Sequence, residues 1–201
     1  MAQRSLDGLV TFLTCLFPYL PNAEALAYLD ATGADALAAA RLIVRRRGLW
    51  GFDIRAATTV DAVETALRYA AVAAKHPDPQ LFVSRWKSIS AGLAIFPSSP
   101  LYATRMIKTP KDNLELQESW ALATGRLERL CPIGRELPPT RAAMKRMLLA
   151  TIHGFYIKAL GSLPKDELTH RYHRSLLLGG YCFGPLHPVE NIIVNTIWGE
   201  T

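Results

Sequence analysis

The chain has 201 residues, half of them apolar and a fifth charged, a balance that excludes a disordered polymer and supplies a sizeable core. Its net charge of +6 permits nucleic-acid or acidic-lipid partners without demanding them. The basic residues are dispersed, the densest run is Arg45-Arg46-Arg47, and no block of five or six like charges marks a basic tail.

Apolar spacing is helical almost throughout. A first helix is expected to be capped by Ser5 or Asp7 and to stop near Phe17, ahead of Pro18. Asn22 is read as the cap of a short helix from Ala23 to Asp30, followed by a Thr32-Gly33 turn. Asp35 opens a third helix, Ala36 to Arg47. Its basic last turn and the following Gly48 form a C-terminal signature, because cations suit the carbonyl end and Gly takes the left-handed cap. Trp50 to Ala57 reads as a connection. Thr58 with Asp61 resembles a capping box for a helix to about Lys75.

Asp78-Pro79 has the favoured cap-then-Pro order, and Phe82, Trp86, Ile89, Leu93 and Phe96 form one apolar stripe behind it. A loop from Pro97 to Asp112 precedes a helix from about Asn113 carrying Leu116, Trp120, Ala123, Leu127 and Leu130. After a second loop, Cys131 to Pro139, Thr140 caps a long helix to about Leu160. That helix is apolar on most sides and is therefore expected to be central. Pro164 opens another helix that stops at Gly179-Gly180, and the last runs from Pro188 to Trp198. No β alternation and no internal repeat is visible.

Cys15, Cys131 and Cys182 form an odd set with no CxxC pair. That usage, with no small-residue cleavage site after the first apolar stretch, predicts a reducing compartment, cytoplasm or nucleus. No apolar run reaches the roughly 20 residues of a membrane span.

The stretch LFPYLPNAEALAYLDATGADALAAARLI resembles the ubiquitin-associated and CUE class of three-helix ubiquitin-binding domains. In CUE domains a Met-Phe-Pro motif and a C-terminal di-leucine grip the apolar patch of ubiquitin. The matching positions are Leu16, Phe17 and Pro18, and Leu42 with Ile43; Leu16 replaces the usual Met. On a helical wheel Leu42 lies roughly 160° from the centre of the face formed by Ala36, Leu37, Ala40, Ile43 and Val44. An apolar residue so placed wants a partner, either ubiquitin or the rest of the chain. The alternative is a structural three-helix unit packed on its neighbour.

The segment GGYCFGPLHPVENIIVNTIW is the least generic. It resembles the plant PIR-two-like helical domain, found in RING-type E3 ubiquitin ligases and in many grass proteins, with TIHGFYIKAL and RYHRSLLLGGYCFGP extending the likeness. His187 and Glu190 stand where that family usually has Asp and Ser. Asp would cap the last helix better than His; Glu190 partly compensates through the helix dipole. The resemblance implies no ligase activity, since RING cysteines are absent. Gly180, Tyr181, Gly184, Pro185, Pro188, Asn191, Asn195 and Trp198 are taken as structural residues of this motif.

Chemical constellations are sparse. His170 and His173, one turn apart near Cys182 or His187, sketch a weak zinc pattern; solvated histidines are the simpler reading. His153 on the apolar long helix is expected to be buried and hydrogen-bonded rather than a base. Cys182 is expected to pack rather than to attack. Arg45 to Arg47, the Arg141, Lys145 and Arg146 face, and Arg171 with Arg174, together with Trp50 and Trp86, are the features a nucleic-acid binder would use.

The expectation is an all-α, multi-helix bundle of eight or nine helices. It comprises a three-helix unit at 1–48, a linker at 49–57 and a helical domain at 58–201. Its function is expected to be non-catalytic protein interaction, with ubiquitin or a ubiquitin-pathway partner, without cofactor, metal or membrane. The alternatives are a basic nucleic-acid binder and a structural remnant of a longer relative.

Overall fold

A computed structural model describes residues 1–87, 116–129, 140–163 and 172–199. Among these the chain forms nine helices and no strand: α1 (Ala2–Leu16), α2 (Asn22–Ala31), α3 (Ala36–Arg46), α4 (Ala57–Ala73), α5 (Pro79–Lys87), α6 (Leu116–Arg129), α7 (Arg141–Ser162), α8 (His173–Gly179) and α9 (Pro188–Trp198). Ile89, Leu93, Phe96, both long loops, His170, Arg171 and the helix start at Pro164 lie outside the described residues.

Local chemistry sets several boundaries. Asp35 accepts the backbone N–H of Ala38 and Thr140 that of Ala143, so both act as N-caps. Asp78 accepts the N–H of Leu81 at the start of α5. Three starts differ from expectation. α2 begins at Asn22 itself, with Pro21 at the N-cap and no side-chain cap bond, so Asn22 is the first helical residue and not the cap. α1 begins at Ala2, and Ser5 is a buried interior residue whose hydroxyl is taken by Tyr156, 2.7 Å away. α4 begins after Ala56 with no side-chain cap, so Thr58 and Asp61 do not form the expected box.

α1 is the organising helix. Ser5, Leu6, Gly8, Leu9, Phe12 and Leu13 make its buried face, and it packs on α2, α3, α4 and α7. α4 packs on it and buries Ala66, Ala70 and Ala71, small side chains that let helix backbones approach. The Phe183 ring lies where a Cβ on Gly8 would project, so that glycine makes room for an aromatic.

The long helix α7 is one-sided rather than central. It buries Leu148, Ile152, Tyr156 and Ala159, while Met147 and Ile157 are 40% and 57% exposed. His153 falls one position off that stripe and is exposed, contrary to the expectation of a buried imidazole. Counting apolar residues around the helix overstated how many sides are covered.

A single hydrophobic cluster includes Phe12, Ile43, Phe82, Trp120, Ile152 and Phe183, so residues on both sides of the 49–57 connection share one core. Two polar ties reinforce it. Arg126 of α6 bonds Asp35 with its Nε at 2.5 Å, joining α6 to the start of α3. Arg4 of α1 donates to the carbonyls of Ala74 (2.6 Å), Lys75 and Leu177, and to the Tyr181 hydroxyl. Its cation thus sits at the carbonyl ends of α4 and α8, where a positive charge is favoured.

Candidate functional site

The residues proposed to meet a partner divide by burial. Phe17 is 8% exposed, with its ring 6.1 Å from that of Phe52, which in turn stacks on Trp120 at 5.4 Å. Ile43 is fully buried. Leu16 and Leu42 are half-buried, and Pro18 is exposed. Tyr19, absent from the sequence-based set, is 92% exposed. The turn carrying it is fixed from below: the N–H of Phe17 donates to Leu13 at 2.9 Å and that of Leu20 to Phe17 at 2.8 Å. Of these residues, Pro18 and Tyr19 are accessible at the turn and Leu16 and Leu42 are accessible in part. Phe17 and Ile43 belong to the core.

The segment from Gly180 to Trp198 is packed into the interior. All eight residues taken as structural (Gly180, Tyr181, Gly184, Pro185, Pro188, Asn191, Asn195 and Trp198) are buried. Two amides stitch the turn to α9. Asn191 donates to the carbonyls of Cys182 and Leu186, both at 3.0 Å, and accepts the N–H of Leu186; Asn195 donates to the carbonyl of Tyr181 at 2.8 Å. Buried backbone polar groups in an irregular turn need such partners, because water cannot supply them. Tyr181 stacks on Phe183 at 5.3 Å, and Trp198 packs edge-on against Trp86 at 5.1 Å.

Gly184 has φ +152°, and a Cβ there would lie 2.5 Å from Cζ2 of Trp86. Only glycine fits without displacing the indole. At the start of α9, His187 Nδ1 accepts the N–H of Val189, and Glu190 accepts the N–H of His187 at 3.3 Å. The final helix is thus capped reciprocally by His187 and Glu190.

The chemical candidates resolve similarly. Cys182 is buried, and burial pushes its thiol up to about 12, so it stays protonated near neutrality. Its backbone N–H donates to Ser5 Oγ at 3.3 Å, and Ser5 shares a hydrogen bond with Tyr156. Burial raises the Tyr156 phenol far above its usual range. His173 is exposed. Among the described residues no group of three or more His, Cys, Asp or Glu can hold a metal. No described helix is long and apolar enough to cross a membrane. Of the two tryptophans read as stacking groups, Trp86 is core, 2% exposed, and Trp50 is 95% exposed.

Trp50 borders a surface cleft of about 360 Å³ between the C-terminal end of α3 and α6. Gly48, φ +59°, ends α3: its N–H donates to Arg45, and that of Leu49 donates to Val44 at 3.1 Å. This is a Schellman motif, and Leu49 and Val44 both line the cleft. The N–H of Trp50 donates to Gly48 at 2.9 Å and that of Phe52 to Leu49 at 3.0 Å. The indole is therefore presented by an ordered turn. Gly48 and the basic helix end are legible in the sequence; the opposite wall, Leu127 and Glu128, is far along the chain and could not be paired with them by spacing.

A family model described as "PIR2-like, helical domain" matches residues 1–44 and 150–201. That match supports the helical family which the C-terminal segment resembles. The matched residues include α1, α2 and α9, which meet one another or α7 in the core. Residues 45–149, including Trp50 and α6, lie between the matched segments. No curated protein and no solved structure matches the chain.

Proposed function

We propose that this chain is a PIR2-like helical-domain protein acting as a non-catalytic protein-interaction module. The observation that supports this reading most directly is Tyr19, 92% exposed on a hydrogen-bonded turn beside Pro18. An aromatic side chain on a hydrogen-bonded turn has only two torsions of its own to fix on docking, so burying it contributes most of its apolar area to affinity.

Ubiquitin is the specific partner we put forward for this surface. Leu16 and Leu42 remain partly accessible, and they are the positions at which the resemblance to CUE domains expects contact. The roles of Phe17 and Ile43 in this reading are to shape the surface, since neither side chain is available to a partner as folded.

The test is a titration of isotope-labelled ubiquitin with the full chain up to millimolar concentration. Shifts are expected around ubiquitin's apolar patch, and Leu42→Glu is expected to remove them. An unperturbed spectrum at millimolar protein refutes ubiquitin as the partner.

A further inference from the structure

We infer that the cleft between α3 and α6 is a second, separate docking site, one for an acidic peptide segment of a partner protein that carries a bulky apolar side chain. The cleft offers two kinds of surface at once. Val44, Leu49, Leu127 and the Trp50 indole supply apolar area, and Arg41 and Arg45 supply positive charge. A Trp left 95% exposed on a rigid turn at the rim of a concave apolar surface is the arrangement in which truncation usually costs an interface most.

The neighbouring cations show which charge is available. Arg41 sits 5.3 Å over the Trp120 ring, Arg46 lies 5.9 Å over Tyr28, and Arg47 pairs with Glu24 at 2.6 Å. The Arg45 side chain has no ion pair or hydrogen bond among the described residues. One uncommitted guanidinium, with Arg41 alongside it, matches one or two carboxylates, and an Arg-carboxylate pair can be bidentate. Nucleic acid fits less well. Its affinity rests on neutralising many phosphates, yet most of this basic run is already engaged and Glu128 forms part of the wall. A peptide can place its carboxylates at Arg45 and its apolar side chain against Trp50, away from Glu128.

The site does not use Leu16, Pro18, Tyr19 or Leu42, so it stands or falls independently of ubiquitin binding. The probe is a short synthetic peptide in which Glu alternates with Leu and Phe, titrated into the full chain while the Trp50 indole N–H is followed by NMR. Saturable shifts of that signal are expected. Trp50→Ala and Arg45→Glu should each weaken binding by roughly 30-fold. Both substitutions fall on exposed side chains. The same peptide with Lys in place of Glu should bind poorly to the natural chain and better to Arg45→Glu.

Tyr19→Ala should leave the peptide's affinity unchanged. The proposal is overturned by equal binding of the Lys peptide, or by oligothymidylate shifting Trp50 while the Glu peptide does not. It is also overturned by a Trp50-dependent dimer in sedimentation. A Trp50 indole already shielded from acrylamide in the free monomer would likewise refute it, by showing the cleft to be filled from within the chain.

Discussion

Two turns in this protein share a vocabulary of glycines and aromatics. One is Gly48-Leu49-Trp50-Gly51-Phe52, after α3; the other is Gly180-Tyr181-Cys182-Phe183-Gly184, before α9. In the second, Tyr181 and Phe183 are fully buried, whereas in the first Trp50 is 95% exposed and only Phe52 turns inward to stack on Trp120. Composition does not separate them. What separates them is the supply of buried hydrogen-bond partners: Asn191 and Asn195 of α9 satisfy the carbonyls of Tyr181, Cys182 and Leu186, so that turn can leave water. The turn after α3 satisfies its own backbone through the helix cap and is free to stay at the surface.

The sharpest way to break this comparison is to substitute the matching glycines. Gly184→Ala is expected to cost about 3–5 kcal/mol, or to abolish folding, since a Cβ would meet Trp86 in a packed core at a backbone conformation that L-residues rarely adopt. Gly48→Ala also carries a left-handed backbone, but its would-be Cβ lies 3.3 Å from the Trp50 indole, a side chain exposed to solvent. It is expected to cost only about 1–2 kcal/mol. Urea midpoints of the two variants decide the matter, and equal losses would mean that burial is not the difference between the turns.

How much of this was legible in the sequence depends on how local each determinant is. Asp35, Asp78, Thr140 and Pro188 mark their helix starts because a cap acts within three residues. α9 spans Pro188 to Trp198, as its apolar spacing predicts. Ser5 misleads because its hydroxyl is claimed by Tyr156, distant in sequence, and not by its own helix end. Phe17 reads as a contact residue for a similar reason: its burial depends on Phe52 and Trp120, which no local pattern connects to it. His153 sits one place off the buried stripe of α7, a phase that residue counting does not fix. The cleft at Trp50 needed α6 to be placed against α3, a tertiary fact.

A smaller effect is expected from pH, and it should act on the buried region alone. His76 packs between Phe82 and Tyr181 at 5.2 and 5.9 Å, and its Nδ1 accepts the N–H of Asp78; His187 Nδ1 accepts the N–H of Val189. Protonation of either ring at Nδ1 removes the acceptor. Burial lowers both imidazoles below their usual value, against the favourable field of Asp78 on His76 and of Asp35 on His187. The unfolded chain therefore binds more protons than the folded one just below pH 6.5. Stability is full above that value and falls as pH drops through it.

Burial raises Glu190, which has the opposite sign and acts only in the acid range above its usual 4.5. A declining Tm from pH 7.5 to 5.5 is expected, with a flatter slope in the double variant His76→Asn and His187→Asn, which keeps an acceptor at each cap. An unchanged slope in that variant would assign the acid sensitivity elsewhere.

The smallest effect on folding is expected at the residue given the largest effect on binding. Trp50→Ala removes a side chain that is almost entirely in water, so its unfolding free energy should stay within about 0.5 kcal/mol of the natural chain. Trp86→Ala, by contrast, empties a site packed against Phe82, Gly184 and Trp198, and should cost about 3–5 kcal/mol. Both follow from denaturant melts, with intrinsic fluorescence distinguishing the lost indole as exposed or buried. If Trp50→Ala destabilises the chain as Trp86→Ala does, the indole belongs to the core and cannot serve as a docking contact. If it leaves stability intact, the indole contributes nothing to the fold and is free to serve as the docking contact proposed for it.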